Sequence, residues 1–97
     1  MARIALRCFS VVRDVLGAGT VEVEVAPPET VRAVFDALFA RYGVPLRQVL
    51  VDPETGELTP LLLVLNGEAI STTFDMDRPI KTGDELTLIF PIGGGRT

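Results

Sequence analysis

Only one stretch of this chain carries the periodicity of a long helix, and that limits the available folds more than any other feature. From Val31 the apolar residues are Val31, Val34, Phe35, Leu38, Phe39 and Tyr42. They fall on one helical face, with Arg32, Asp36 and Arg41 off the stripe. Thr30 offers an N-cap hydroxyl. Gly43 suits the residue after the helix, and Pro45 prevents continuation. Every other strongly patterned segment has period two or is a short apolar run. One helix must therefore cover one face of a sheet, since two layers are the minimum that buries both apolar faces.

The strands follow from alternation. Arg3 to Phe9 places Ile4, Leu6 and Cys8 opposite Arg3, Ala5 and Arg7, a half-buried strand. Gly17 and Gly19 mark a turn. Thr20 to Val25 alternates again, so the first 25 residues read as an antiparallel hairpin, ended by Pro27-Pro28. Leu46, Val49 and Leu50 predict one packed helical turn. Asp52-Pro53-Glu54-Thr55-Gly56 is turn chemistry. Leu61 to Leu65 predicts a buried central strand, and Asn66-Gly67 a tight type I′ hairpin into a return strand over Glu68–Ile70. Ser71 to Pro79 reads as a polar loop and Lys81 to Asp84 as a turn. In the last strand, Glu85 to Phe90, the residues Leu86, Leu88 and Phe90 share one face and Thr87 and Ile89 the other. The first and last strands belong in the centre, running parallel. The expected class is α+β: a β-grasp, with a mixed sheet of four to five strands on one main helix. A ferredoxin-like split sheet would need a second long helix, which the pattern does not provide. The organisation expected is a 1–90 domain and a flexible 91–97 tail.

Composition excludes several functions. The 97 residues contain no His and one Cys, Cys8. A conventional zinc site and a Ser-His or Cys-His nucleophile are both ruled out. One thiol forms no internal disulfide. No apolar stretch approaches the roughly 20 residues of a membrane span. The start of the chain does not read as a signal peptide, so a cytoplasmic location is expected. Net charge is −4, which argues against a general nucleic-acid binder. Residues 52–85 hold eight acids against Arg78 and Lys81. That half either faces a basic partner or is a solvated surface.

The tail reads Phe90-Pro91-Ile92-Gly93-Gly94-Gly95-Arg96-Thr97. Three glycines in a row pack no core and lose the most entropy on ordering. They are either a frayed terminus or an arm thin enough to thread a partner's channel. Pro91 to Gly95 extended would reach ~17 Å. A glycine carboxylate delivered in this way could be activated there as an acyl-adenylate.

Four segments together resemble the MoaD/ThiS family of ubiquitin-like sulfur carriers, most closely its MoaD branch, the small subunit of molybdopterin synthase. They are Phe9-Ser10-Val11-Val12-Arg13-Asp14, Leu65-Asn66-Gly67, Pro79 to Glu85, and Phe90-Pro91 running into Gly93-Gly94-Gly95. The resemblance implies a β-grasp and a protein cosubstrate, not an enzyme. It implies an E1-like adenylyltransferase that uses ATP and magnesium on the terminal glycine. It also implies a sulfurtransferase that yields a thiocarboxylate, and a large synthase subunit or other acceptor enzyme that spends the sulfur. Family tails end in Gly-Gly, whereas Arg96 and Thr97 follow here. Processing by a protease to Gly95, with Gly94 as the alternative, is therefore expected, with Gly93 and Gly94 in the arm. Phe9, Leu62, Ile89 and Phe90 are the expected partner-docking patch, with core packing the rival role for Phe90. Relatives are also conjugated to lysines, so a protein modifier, or an interaction module with an inactive tail, stands as the alternative. Lys81, the only lysine, reads as a solvated turn residue and Cys8 as a core residue. Asp84 and Glu85 point to opposite faces and form no acid–base pair.

Overall fold

The alternation of the first strand is realised in β1 (Ala2–Cys8), whose even-numbered residues are buried, in a computed structural model that describes residues 1–89. β1 pairs antiparallel with β2 (Thr20–Val25), Arg7 opposite Thr20 and Ala2 opposite Val25. The connection is not the simple turn expected from Gly17 and Gly19. A two-turn helix, α1 (Ser10–Leu16), lies between the strands. Val12 and Leu16, four apart, fall on one helical face and are buried. Gly17 then ends the helix at φ 81°, its N–H donating to the Arg13 carbonyl, a left-handed cap that suits glycine.

The main helix, α2 (Val31–Tyr42), has the expected ends. The Thr30 hydroxyl accepts from the Ala33 N–H at 3.3 Å, and Gly43 closes the helix at φ 68°. Val31, Val34, Phe35 and Leu38 are buried in the core. Phe39 and Tyr42 only border it. Their rings are met by guanidinium groups instead, Arg47 at 4.8 Å from Phe39 and Arg41 at 5.1 Å from Tyr42. Pro45, expected only as a stop, sits in the first turn of a further helix, α3 (Val44–Leu50). A proline there sacrifices no helical hydrogen bond. Two turns form rather than one, burying Leu46 and Leu50.

The rest of the sheet is β3 (Leu62–Leu65), β4 (Glu68–Ser71) and β5 (Glu85–Ile89). Asn66 and Gly67 join β3 to β4 with φ of 52° and 87°, the two left-handed residues of a type I′ turn. Strand order is β2-β1-β5-β3-β4, with β1 and β5 adjacent and parallel. A mixed five-stranded sheet on one long helix is the β-grasp expected from the sequence. One expectation is corrected. β3 is an interior strand, but β5 is the central one, and β3 is not buried on both faces. Leu63 and Leu65 face the core while Leu62 faces out. Helices cover only one side of the sheet, so every strand has one open face.

The core lies between that covered face and the helices. Ile4, Leu6, Cys8, Leu63, Leu65, Leu86 and Leu88 all belong to it. The boundary expected after residue 90 lies outside the described residues, as do Phe90, Gly93, Gly94, Gly95, Arg96 and Thr97.

Candidate functional site

The open face of the sheet can be read row by row from the strand registers. Near the start of β1, Arg3 lies opposite Glu24, and the two side chains form an ion pair at 2.6 Å. The hydrogen bond that Arg3 donates to Glu24, and that carboxylate's charge, raise the Arg3 pKa further above its ordinary value. One step along, Ala5 lies between Glu22 and Glu85. Next come Arg7, Thr87, Val64 and Ala69. Arg7 reaches back to Glu85 at 3.9 Å. The last row pairs Ile89 with Leu62 and Leu62 with Ser71. Extending the β1–β5 register by one residue brings Phe9 beside Ile89.

The open face therefore changes character along the strands. Its first rows are charged and salt-paired, and its last row is apolar. Phe9 is 44% exposed and Leu62 45% exposed, with Ile89 half-buried. Three of the four expected patch residues thus fall in one row about two strand spacings wide, ~10 Å. The fourth, Phe90, lies outside the described residues. The row sits at the end of β5 from which the chain continues into the Gly-rich segment. An exposed apolar cluster of this kind on a sheet is a candidate contact surface.

Val64 and Thr87 extend the patch and were not singled out from the sequence. Val64 carried its signal in the run Leu61 to Leu65, because a sheet covered on one side turns every second residue outward, and Thr87 in the face it shares with Ile89. Val11, on the first turn of α1, and Phe74, after β4, are further exposed apolar side chains. No sequence pattern marked either.

The far end of the sheet is held by a polar brace. Asp84 is the one buried polar or charged side chain among the described residues. Its Oδ1 accepts from Asn66 Nδ2 at 2.9 Å and its Oδ2 from the Lys81 N–H at 2.9 Å. Asn66 Oδ1 in turn accepts from the Glu85 N–H at 2.8 Å. The Asn66-Gly67 and Lys81 to Asp84 turns, separate in sequence, are locked together. Glu85 points out to Arg7, so these neighbouring acids do face opposite sides. Lys81 is exposed.

Cys8 is buried among core residues, and its Sγ lies 3.4 Å from the Ala18 carbonyl. Burial raises its pKa, a shift Arg13 partly opposes. A thiol in that state is a poor nucleophile. Among the described residues no cluster of three or more acids and thiols could hold a metal. No helix among them is long and apolar enough to cross a membrane.

Comparison with known proteins matches this geometry. Residues 6–95 match the model of the ThiS family. No curated protein matches the sequence. Among solved structures, the small archaeal modifier protein 1 of Haloferax volcanii is 29% identical, with a TM-score of 0.80. That match covers 95% of this chain and 100% of the other. A Pyrococcus furiosus protein described as molybdopterin converting factor subunit 1 is 18% identical over 95% of this chain and 100% of its own, TM-score 0.71. A chain of the BexX/CysO complex of Amycolatopsis orientalis is 23% identical over 95% of this chain and 99% of its own, TM-score 0.71. The last two likenesses speak to the fold alone.

Proposed function

The chain belongs to the ThiS family of small ubiquitin-like sulfur carriers, and from that premise we propose that Gly95 is the residue on which it carries sulfur. The observation that carries this reading is the extent of the family match. It runs through Gly93 and Gly94 and stops at Gly95, leaving out Arg96 and Thr97. Cleavage after Gly95 removes those two residues and exposes a glycine carboxylate. An E1-like adenylyltransferase, with ATP and magnesium, joins that carboxylate to AMP and releases pyrophosphate. The persulfide of a sulfurtransferase displaces AMP at the carbonyl carbon, and a thiol then cleaves the resulting acyl disulfide, leaving the thiocarboxylate and a new disulfide. The chain provides no catalytic side chain for these steps. Its contributions are a carboxylate with no neighbouring side chain and a surface by which partners recognise it. The row of Phe9, Leu62 and Ile89 is that surface, placed where a partner taking in the tail must press.

The acceptor we infer is the large subunit of a molybdopterin synthase. The Phe90-Pro91 and Gly83-Asp84-Glu85 segments support this branch. A second reading has its own support. The full-length likeness to a small archaeal modifier protein favours conjugation of the same glycine to lysines of other proteins. Both readings share adenylation. ATP–pyrophosphate exchange by the adenylating enzyme of the same organism tests that shared step. The chain ending at Gly95 supports exchange and the chain ending at Thr97 does not. Equal inactivity of both removes both readings.

A further inference from the structure

β2 forms one edge of the sheet, so half of its backbone groups face no neighbouring strand. Two contacts fix which half. The Cys8 N–H donates to the Gly19 carbonyl at 2.9 Å. In this register Val21, Val23 and Val25 therefore also turn their N–H and C=O toward β1. Thr20, Glu22 and Glu24, all exposed, turn theirs outward. The Glu22 carbonyl shows that direction, since it accepts from Arg41 Nη1 of α2 at 3.0 Å. Among the described residues this is the one hydrogen bond that the outward groups of these three residues make. The opposite edge is shorter and better closed. β4 spans four residues, and Asp75 takes up both the N–H and the C=O of Ser71 at its end.

A groove of about 630 Å³ runs beside the β2 edge, between Glu22 to Glu24 and the Ala37, Ala40 and Arg41 side chains of α2. The two alanines leave room for a strand at the usual ~4.8 Å spacing. The charges in the groove balance. Arg3 is paired with Glu24, and Glu22 and Arg41 are one acid and one base. Its distinctive offer is main-chain donors and acceptors.

That offer is self-complementary. Two copies set antiparallel about Glu22 would place Glu22 opposite the partner's Glu22 and Thr20 opposite the partner's Glu24, and every outward N–H and C=O of the three residues would find a mate. Two features oppose this. Arg41 occupies the central carbonyl, and the two Glu22 carboxylates would meet as like charges directly across the strands. We propose that the β2 edge is a latent dimer interface, closed to a second copy of this chain by Arg41 and Glu22. Open edges of this kind are where sheets associate, and charged side chains are a common means of preventing it. The inference holds whether or not the tail carries sulfur.

Sedimentation equilibrium of the full chain over a concentration series, with amide hydrogen exchange, is the test. Wild type should stay monomeric, with fast exchange at Thr20, Glu22 and Glu24. Arg41→Ala with Glu22→Thr should double the mass and slow exchange at these three positions about tenfold. Glu22→Thr alone should stay monomeric, because Arg41 still holds the carbonyl. Arg41→Ala with Glu22→Pro should also stay monomeric, since proline deletes the central donor and leaves the ladder to β1 intact. A folded double variant with Thr at position 22 that remains monomeric overturns the latent interface. A dimer in wild type or in Glu22→Thr alone overturns the role of Arg41. A dimer in the proline variant places association on another surface and overturns the proposal as well.

Discussion

The two faces of the sheet are made by the same strands and do different work. On the covered face Ile4, Leu6, Leu63, Leu86 and Leu88 meet the helices and are almost wholly buried. On the open face the same strands run from the Arg3–Glu24 pair to the row of Phe9, Ile89 and Leu62. The covered face is satisfied within the chain. The open face is satisfied only at its charged end, and its apolar end, at Ile89, leaves large side chains in water. On the docking role proposed for the open face, stability and recognition are divided between alternate residues of single strands.

That division can be broken by substitution. The largest expected effect is on the covered face, where Leu88→Ala should cost about 2–5 kcal/mol through lost transfer energy and a cavity. Urea unfolding of the two proteins measures it. Leu62→Ser, opposite in face and one register step away, should leave the unfolding free energy within about 0.5 kcal/mol of wild type. It should nevertheless raise the KM of the adenylating enzyme more than tenfold. If both substitutions shift stability equally, the two faces are not divided as described. Asn66→Ala should cost about 2 kcal/mol, because it takes the donor from Asp84 Oδ1 and the acceptor from the Glu85 N–H and removes a residue tolerant of positive φ. Hydrogen exchange should show the loss concentrated at the two turns it joins. Thr30→Ala should cost about 1 kcal/mol through loss of the α2 cap, with no change in KM.

Cys8 gives the smallest effect and a pH test. Its folded pKa is raised by burial, so below the unfolded thiol pKa both states hold the proton and any stabilisation is fully present. As pH rises above the unfolded value, the unfolded state ionises first and stability falls until the folded thiol also ionises. Cys8→Ala should lack this alkaline component. At pH 8 the native thiol should resist iodoacetamide that labels it readily in urea.

Much of the covered face was legible in the sequence because burial enforces period. The alternation in β1 and β2, the stripe on α2, and the caps at Thr30 and Gly43 each follow from one local rule. α1 was missed because Gly17 and Gly19 dominated the reading, although Val12 and Leu16 have helical spacing. β3 was misjudged because a continuous apolar run does not say which of its residues a partner will cover. That ambiguity is physical. Leu62 and Leu63 are the same side chain, and only the one-sided placement of the helices separates them. The candidate site was legible through Phe9, Leu62 and Ile89, which the registers bring into one row. The exposure of Phe74 was not, since an isolated aromatic in a polar loop has no period and is held out by the Ser71–Asp75 turn.

The central claim is that Gly95 is the working end of the molecule. Intact-mass analysis of the protein isolated from its native cells tests it most directly. The account predicts a population that ends at Gly95, with one carboxylate oxygen replaced by sulfur. A population that ends only at Thr97 with an ordinary carboxylate would contradict it.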